Sequence, residues 1–183
     1  MRNLTLNGIS LTLDHLDWIF GEEEVALALD RGAAKRVQAA RDVVDQHVEA
    51  GNIVYGLTTG FGKLKNVAIA QEDLATLQRN LIISHCTGVG EPMEPAEVRA
   101  VQVLRLNGIV RGHSGLRFEI VQQLVRLFNK GFVPEVPRKG SVGASGDLAP
   151  LAHMAATYMG VGHAYVRSVT KSGAVKYKRM TAA

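Results

Sequence analysis

Two glycine-rich stretches hold the residues that could do chemistry. They are Tyr55-Gly56-Leu57-Thr58-Thr59-Gly60-Phe61-Gly62 and Gly140-Ser141-Val142-Gly143-Ala144-Ser145-Gly146-Asp147-Leu148-Ala149-Pro150. Loops this rich in glycine lose much backbone entropy on folding, so each needs a reason. The second stretch admits three readings. It is a flexible connector between helices, or a phosphate cradle at a helix N-terminus, or a peptide that condenses on itself. The nucleotide form of the cradle is weak. The glycines run G-x-x-G-x-x-G without a strong strand before them, and no G-x-x-x-x-G-K-[ST] occurs, because Gly62-Lys63 is followed by Leu64 and preceded at the required position by Leu57. The condensation starts from Ala144-Ser145-Gly146. A glycine amide nitrogen is the least hindered backbone nucleophile. In a tight turn the Gly146 nitrogen reaches the Ala144 carbonyl carbon, and loss of water closes a five-membered imidazolone. Loss of the Ser145 hydroxyl as a second water leaves an exocyclic methylene, an electrophile that ordinary side chains do not supply. Asp147 stands where it would cap the next helix and hold the turn. That helix's positive end would favour negative charge on the ring oxygen.

The elements that must position these loops are mostly helical. Apolar residues recur near 3.6-residue spacing over 31–50 (Ala33, Val37, Ala40, Val44, Val48, with Gly51 as a stop), over 72–85 (Leu74, Leu77, Leu81, Ile82) and over 95–110 (Val98, Val101, Leu104, Ile109). The same spacing continues over 114–128, with Ser114 as the expected N-cap, and over 148–159. Residues 4–13 alternate around Asn7-Gly8, which predicts a small β-hairpin. The fold class expected is mainly α.

The 183 residues carry 21 Lys+Arg against 17 Asp+Glu, a formal charge of +4. Five of the basic residues, Arg167, Lys171, Lys176, Lys178 and Arg179, fall in 164–183 with no acid. Without them the body has 16 basic and 17 acidic side chains, close to neutral. The basic balance is therefore a property of the tail, and no nucleic-acid surface follows from it. The expected division is a domain over 1–163 and a basic tail over 164–183 that forms a short hairpin around Lys171-Ser172-Gly173 or is disordered. Cys86 is a lone cysteine, which excludes a disulfide framework and a cysteine-based zinc site. No H-E-x-x-H occurs, and no metal is expected. Without an apolar run of about 18 residues or a signal-peptide core, a cytoplasmic protein with no membrane partner is expected.

Gly140–Met154, GSVGASGDLAPLAHM, resembles the signature of the aromatic amino-acid ammonia-lyases, and most of all that of their histidine-acting members. Three further segments resemble the same family in the same order: YGLTTGFGKL over 55–64, NLIISHCTGVG over 80–90 and RLNGIVRGHSGLR over 105–117. The resemblance covers residues 4 to 163. It implies the N-terminal domain of the ammonia-lyase (L-aspartase-like) fold, with the family's central bundle of long helices absent. It implies that Ala144, Ser145 and Gly146 become 4-methylidene-imidazol-5-one (MIO), with Gly143 and Asp147 supporting it.

The resemblance also implies that Tyr55 is the catalytic base on its loop. A phenol with a pKa of about 10 is a poor base at neutral pH and needs nearby positive charge to work as phenolate. It implies that His85 sorts substrates and that Gly62 lets them approach closely. A histidine can hydrogen-bond an imidazole or a phenol, and an apolar residue cannot. Without the resemblance, His85 is a helix-end histidine on the C-terminal dipole. Thiol catalysis by a Cys86–His85 pair is rejected, since adjacent positions rarely face each other. His113 and His153 are expected to be structural. Thr58 stands where many histidine-acting members have asparagine, and the threonine form is similar to tyrosine-acting ones.

The implied reaction is elimination of ammonia from L-histidine to trans-urocanate: the amino nitrogen adds to the methylene and Tyr55 removes the β-proton. The alternatives are a tyrosine ammonia-lyase or aminomutase, and a truncated, non-catalytic lyase-like domain. Family members are longer, and their further helices supply an arginine for the substrate carboxylate. A homotetramer, or another oligomer or companion chain that supplies the missing helices, is therefore the expected partner.

Overall fold

The computed structural model describes residues 1–64, 67, 69–140, 142–143 and 146–183. The elements are β1 (Arg2–Leu6), α1 (Leu13–Phe20), β2 (Val25–Leu29), α2 (Ala33–Glu49), α3 (Leu74–Ser84), β3 (Val89–Pro92), α4 (Pro95–Ile109), α5 (Phe118–Asn129), β4 (Phe132–Pro134), β5 (Pro137–Lys139), β6 (Val142–Gly143), β7 (Gly146–Asp147), α6 (Leu148–Tyr158), β8 (His163–Val169) and β9 (Val175–Thr181). Helices dominate, as the apolar spacing predicts. No helix among the described residues is long and apolar enough to cross a membrane.

The strand pair at the N-terminus exists but is not the expected hairpin. β1 pairs with β2 in parallel, from Arg2↔Val25 to Leu6↔Leu29, and α1 makes the crossover that a parallel pair requires. Tertiary contacts divert the Asn7-Gly8 turn. The Asn7 side-chain oxygen accepts from the Ile9 and Ser10 amides, both at 2.9 Å, while the Gly8 amide donates to Asn107 Oδ1 on α4 at 2.9 Å. The chain thus leaves β1 toward α4. Thr12 and His15 then start α1, with the Thr12 amide donating to His15 Nδ1 at 3.1 Å.

α5 also begins later than expected, at Phe118 with Arg117 before it rather than from Ser114. Gly115 is the reason. It sits at φ +64, and a Cβ there would lie 2.6 Å from Val44 Cγ2 on α2. Only glycine lets the chain pass so close to α2 in that conformation, so the helix starts beyond it.

Most of the apolar burial is in one core. Leu4, Leu6 and Leu27 of the strands meet Ile19, Val37, Val103, Leu106, Val121, Val125 and Phe128. Asn129, the last residue of α5, extends the sheet with its side chain: Leu27 N donates to its Oδ1 at 2.8 Å and its Nδ2 donates to Leu27 O at 2.9 Å. A second, smaller core gathers Val98, Val133, Val136 and Met154 beneath β4, β5 and α6.

The basic tail forms the hairpin β8–β9, closed by a turn in which Gly173 has φ +84. β8 is the central strand of a three-stranded sheet, between β4 and β9. Arg179 donates two hydrogen bonds to Glu135, at 2.5 and 2.8 Å, and fixes β9 to the body.

Candidate active site

The Tyr55 loop is built by internal hydrogen bonds. Thr58 is buried, at 8% exposure. Its hydroxyl accepts from the Val54 amide at 2.9 Å and donates to Asn52 O at 2.6 Å. Gly56 and Gly62 have φ +74 and +57, so they supply the left-handed backbone. Gly56 also admits the Phe61 ring, whose edge would stand 3.2 Å from a Cβ. Tyr55 meets the same ring in an edge-on arrangement, with centroids 5.7 Å apart. Its own side chain is 64% exposed. Gln78, from α3, donates to Gly56 O at 3.0 Å and ties the loop to that helix.

α3 runs from the single 3₁₀ turn Gln71–Asp73 to Ser84, and His85 terminates it. The His85 ring is held at the helix end, with Nδ1 2.8 Å from Leu81 O. A carbonyl oxygen can only accept, so Nδ1 carries the proton and Nε2 is left as an acceptor. The helix-end role and a binding role are therefore compatible, because the first uses one nitrogen and leaves the other. Cys86 turns away and donates to Ile82 O at 3.3 Å, and burial raises its pKa.

These elements enclose a cleft of about 580 Å³. Tyr55, Gly62, Leu81 and His85 line one side, and Leu148 and Leu151 of α6 line another. Three expected site residues, Tyr55, Gly62 and His85, therefore meet in one place with the first turn of α6. The signature loop leads directly into that turn. β6 and β7 pair antiparallel, with Val142 opposite Asp147 and Gly143 opposite Gly146, which sets the backbone on the two sides of positions 144–145 next to each other. Asp147 immediately precedes the first residue of α6. Ala144 and Ser145 lie outside the described residues.

One contributor, Gln78, escaped the sequence reading. His153 of α6, expected to be structural, accepts at Nε2 from the Gly88 amide at 3.0 Å, three residues after His85. A Cβ on Gly88 would lie 3.0 Å from that nitrogen, so the glycine permits the approach. Burial lowers the His153 pKa, which favours the neutral ring that this hydrogen bond needs.

A family model described as aromatic amino acid lyase matches residues 11–183. The chain belongs to the aromatic amino acid lyase family. It is 46% identical to a histidine ammonia-lyase of Streptococcus gordonii over 170 residues, which is 93% of this chain and 33% of the relative. A crystal structure of histidine ammonia-lyase from Trypanosoma cruzi superposes with TM-score 0.83 at 38% identity, covering 100% of this chain and 33% of that one. A tyrosine aminomutase from Streptomyces globisporus superposes with TM-score 0.82 at 30% identity, covering 95% and 31%. The chain thus spans about a third of the length of the relatives it matches, and the matched third has the architecture of the N-terminal part of an ammonia-lyase.

Proposed function

We propose that this chain is the N-terminal, chemistry-bearing portion of a histidine ammonia-lyase, which converts L-histidine to trans-urocanate and ammonia. The observation that carries the reading is the cleft in which Tyr55, Gly62 and His85 meet the start of α6. The histidine-acting relatives support the same substrate. His85 offers Nε2 as an acceptor to an imidazole N–H and orients the ring of the substrate. Thr58 uses its hydroxyl within its own loop, so selectivity rests on His85. Tyr55, exposed on its loop, is the residue placed to remove the β-proton. Leu148 and Leu151 offer apolar surface to the ring's other side.

The residues around 144–145 suit the family's prosthetic group. Glycines at 143 and 146 face each other across the β6–β7 pair, and neither has a Cβ to obstruct an approach of the backbone. Formed from Ala144-Ser145-Gly146, the MIO ring would supply an electrophile for the substrate's amino group. The described residues lining the cleft include no arginine or lysine, so the substrate carboxylate needs a cation from elsewhere. A second copy or a companion chain is proposed as its source.

A second reading, tyrosine as substrate, has one observation in its favour: the Nε2 acceptor serves a phenol O–H as well as an imidazole N–H. Incubation with L-histidine and with L-tyrosine separates the two, since urocanate supports the first and coumarate the second. Intact mass tests the prosthetic group. Ring formation removes two waters, about 36 Da, and Ser145→Ala should lose the product and keep the fold. A chain of full mass that releases neither product would be a non-catalytic lyase-like domain.

A further inference from the structure

A different cavity, of about 290 Å³, lies where α4, α5 and β8 meet, and none of its lining residues belongs to the Tyr55–His85 cleft. Arg99, Phe128, Lys130, Gly131, Arg167 and Ser168 are on its wall. Its side chains bring three cations, Arg99, Lys130 and Arg167, against one acid, Glu24. Arg99 is the unusual member. It is 3% exposed, and its guanidinium is stacked 4.0 Å from the centroid of the Phe128 ring. Its Nη1 has no hydrogen-bond partner among the described residues.

Two neighbours share that condition. Arg167 donates through Nη2 to Glu22 O at 2.5 Å, but its Nε has no partner among the described residues. Neither does the Tyr177 hydroxyl. Arg167 and Tyr177 are both close enough to act electrostatically on Arg99. The Glu22 carboxylate acts electrostatically on Arg99 and on Tyr177 as well. Burial, and then the charge of Arg167, lower the Arg99 pKa to about 10, so the guanidinium remains charged at neutral pH.

Among the described residues, Arg99 Nη1 on α4 and Arg167 Nε on β8 are buried donors without a partner. What completes such a set is an acceptor. The three cations, Arg99, Lys130 and Arg167, also outnumber the two nearby carboxylates, Glu22 and Glu24, and buried charge without full compensation is destabilising. A neutral acceptor would answer the hydrogen bonds alone, whereas an anion answers both demands. Guanidinium groups are the preferred partners of planar carboxylates and of phosphates. We propose that this cavity is a binding site for a small oxyanion, a phosphate or a carboxylate, held by Arg99 and Arg167 with Lys130 at its rim.

The test is titration of the purified chain with inorganic phosphate, and separately with acetate, at an ionic strength held constant with sodium chloride. Calorimetry and the thermal midpoint are the readouts. A saturable heat and a saturable rise in Tm with either anion support the site, and the stronger of the two names the ligand chemistry. Arg167→Gln and Lys130→Ala should each weaken that binding at least about ten-fold. Lys130 is exposed, so its variant keeps the fold and decides the matter if Arg167→Gln does not fold. A response to both anions no larger than that to chloride, or unchanged affinity in Lys130→Ala, overturns the proposal.

Discussion

The core under the β1–β2 pair and the wall around the cleft are built on opposite terms. In the first, helix α5 buries Val121, Val125 and Phe128, and α4 buries Ala100, Val103, Leu106 and Ile109. In the second, α3 buries none of its residues, and Tyr55, Ile83, Leu148 and Leu151 are exposed. The core holds itself together by apolar area. The cleft is held by single hydrogen bonds, Gln78 to Gly56 O and Gly88 N to His153, laid over a surface still open to solvent. Stability and the proposed chemistry are thus separated in space, and substitutions should separate them as well.

The largest effect expected is Phe128→Ala, which removes a fully buried ring and should cost about 3–5 kcal/mol. Urea denaturation reads it directly, and a loss below 1 kcal/mol would contradict the assignment of the main core to this helix. Tyr55→Phe is the converse case. An exposed hydroxyl contributes little to stability, so the unfolding midpoint should move by less than about 0.5 kcal/mol, while turnover of L-histidine should fall about 10²–10⁴-fold. If stability fell with activity, the separation of the two regions would be wrong.

Two intermediate effects sharpen the contrast. Asn129→Ala deprives Leu27 of both backbone partners at the sheet edge, a loss of about 1–3 kcal/mol, with no change in KM. Gln78→Ala should cost about 0.5–1.5 kcal/mol and act mainly on KM, because the carbonyl it holds lies beside Tyr55. Equal KM effects from the two variants would show that the regions are coupled.

The smallest effect is a pH dependence. Burial lowers the His153 pKa from its ordinary 6.5, so the unfolded chain takes up this proton first as pH falls. The stability tied to the neutral ring is present in full above about 6.5 and declines as pH drops toward the folded pKa. A His153→Gln variant, which retains an acceptor but cannot titrate, should lose that part of the slope between pH 7 and 5 in thermal melts. An identical slope would remove His153 from the account.

The helices were legible because each carries its own periodic record. α2, α3, α4 and α6 lie within two residues of the spacing expected, and the tail hairpin formed around the turn residues named for it. Failures came where the deciding contact was remote in sequence. Asn7-Gly8 has the composition of a hairpin turn, but Asn107, from α4, claims the Gly8 amide. The start of α5 was displaced by Val44, more than seventy residues away in the chain. In the cleft, Tyr55, Gly62 and His85 were named in advance from motif resemblance. Gln78 was not, since a glutamine on a helix looks ordinary until its partner is known, and His153 was expected only to be structural, without its partner Gly88.

Composition, periodicity and the signature loop determined the helical class, the family and which side chains could do chemistry, since these depend on residue type and local spacing. Folding alone decided that β1 and β2 run in parallel and that His153 meets the Gly88 amide. It also placed Arg99 Nη1 and Arg167 Nε, two donors without acceptors among the described residues, beside one cavity. Each of those outcomes depends on atoms brought together from distant parts of the chain, and no local pattern encodes such a meeting.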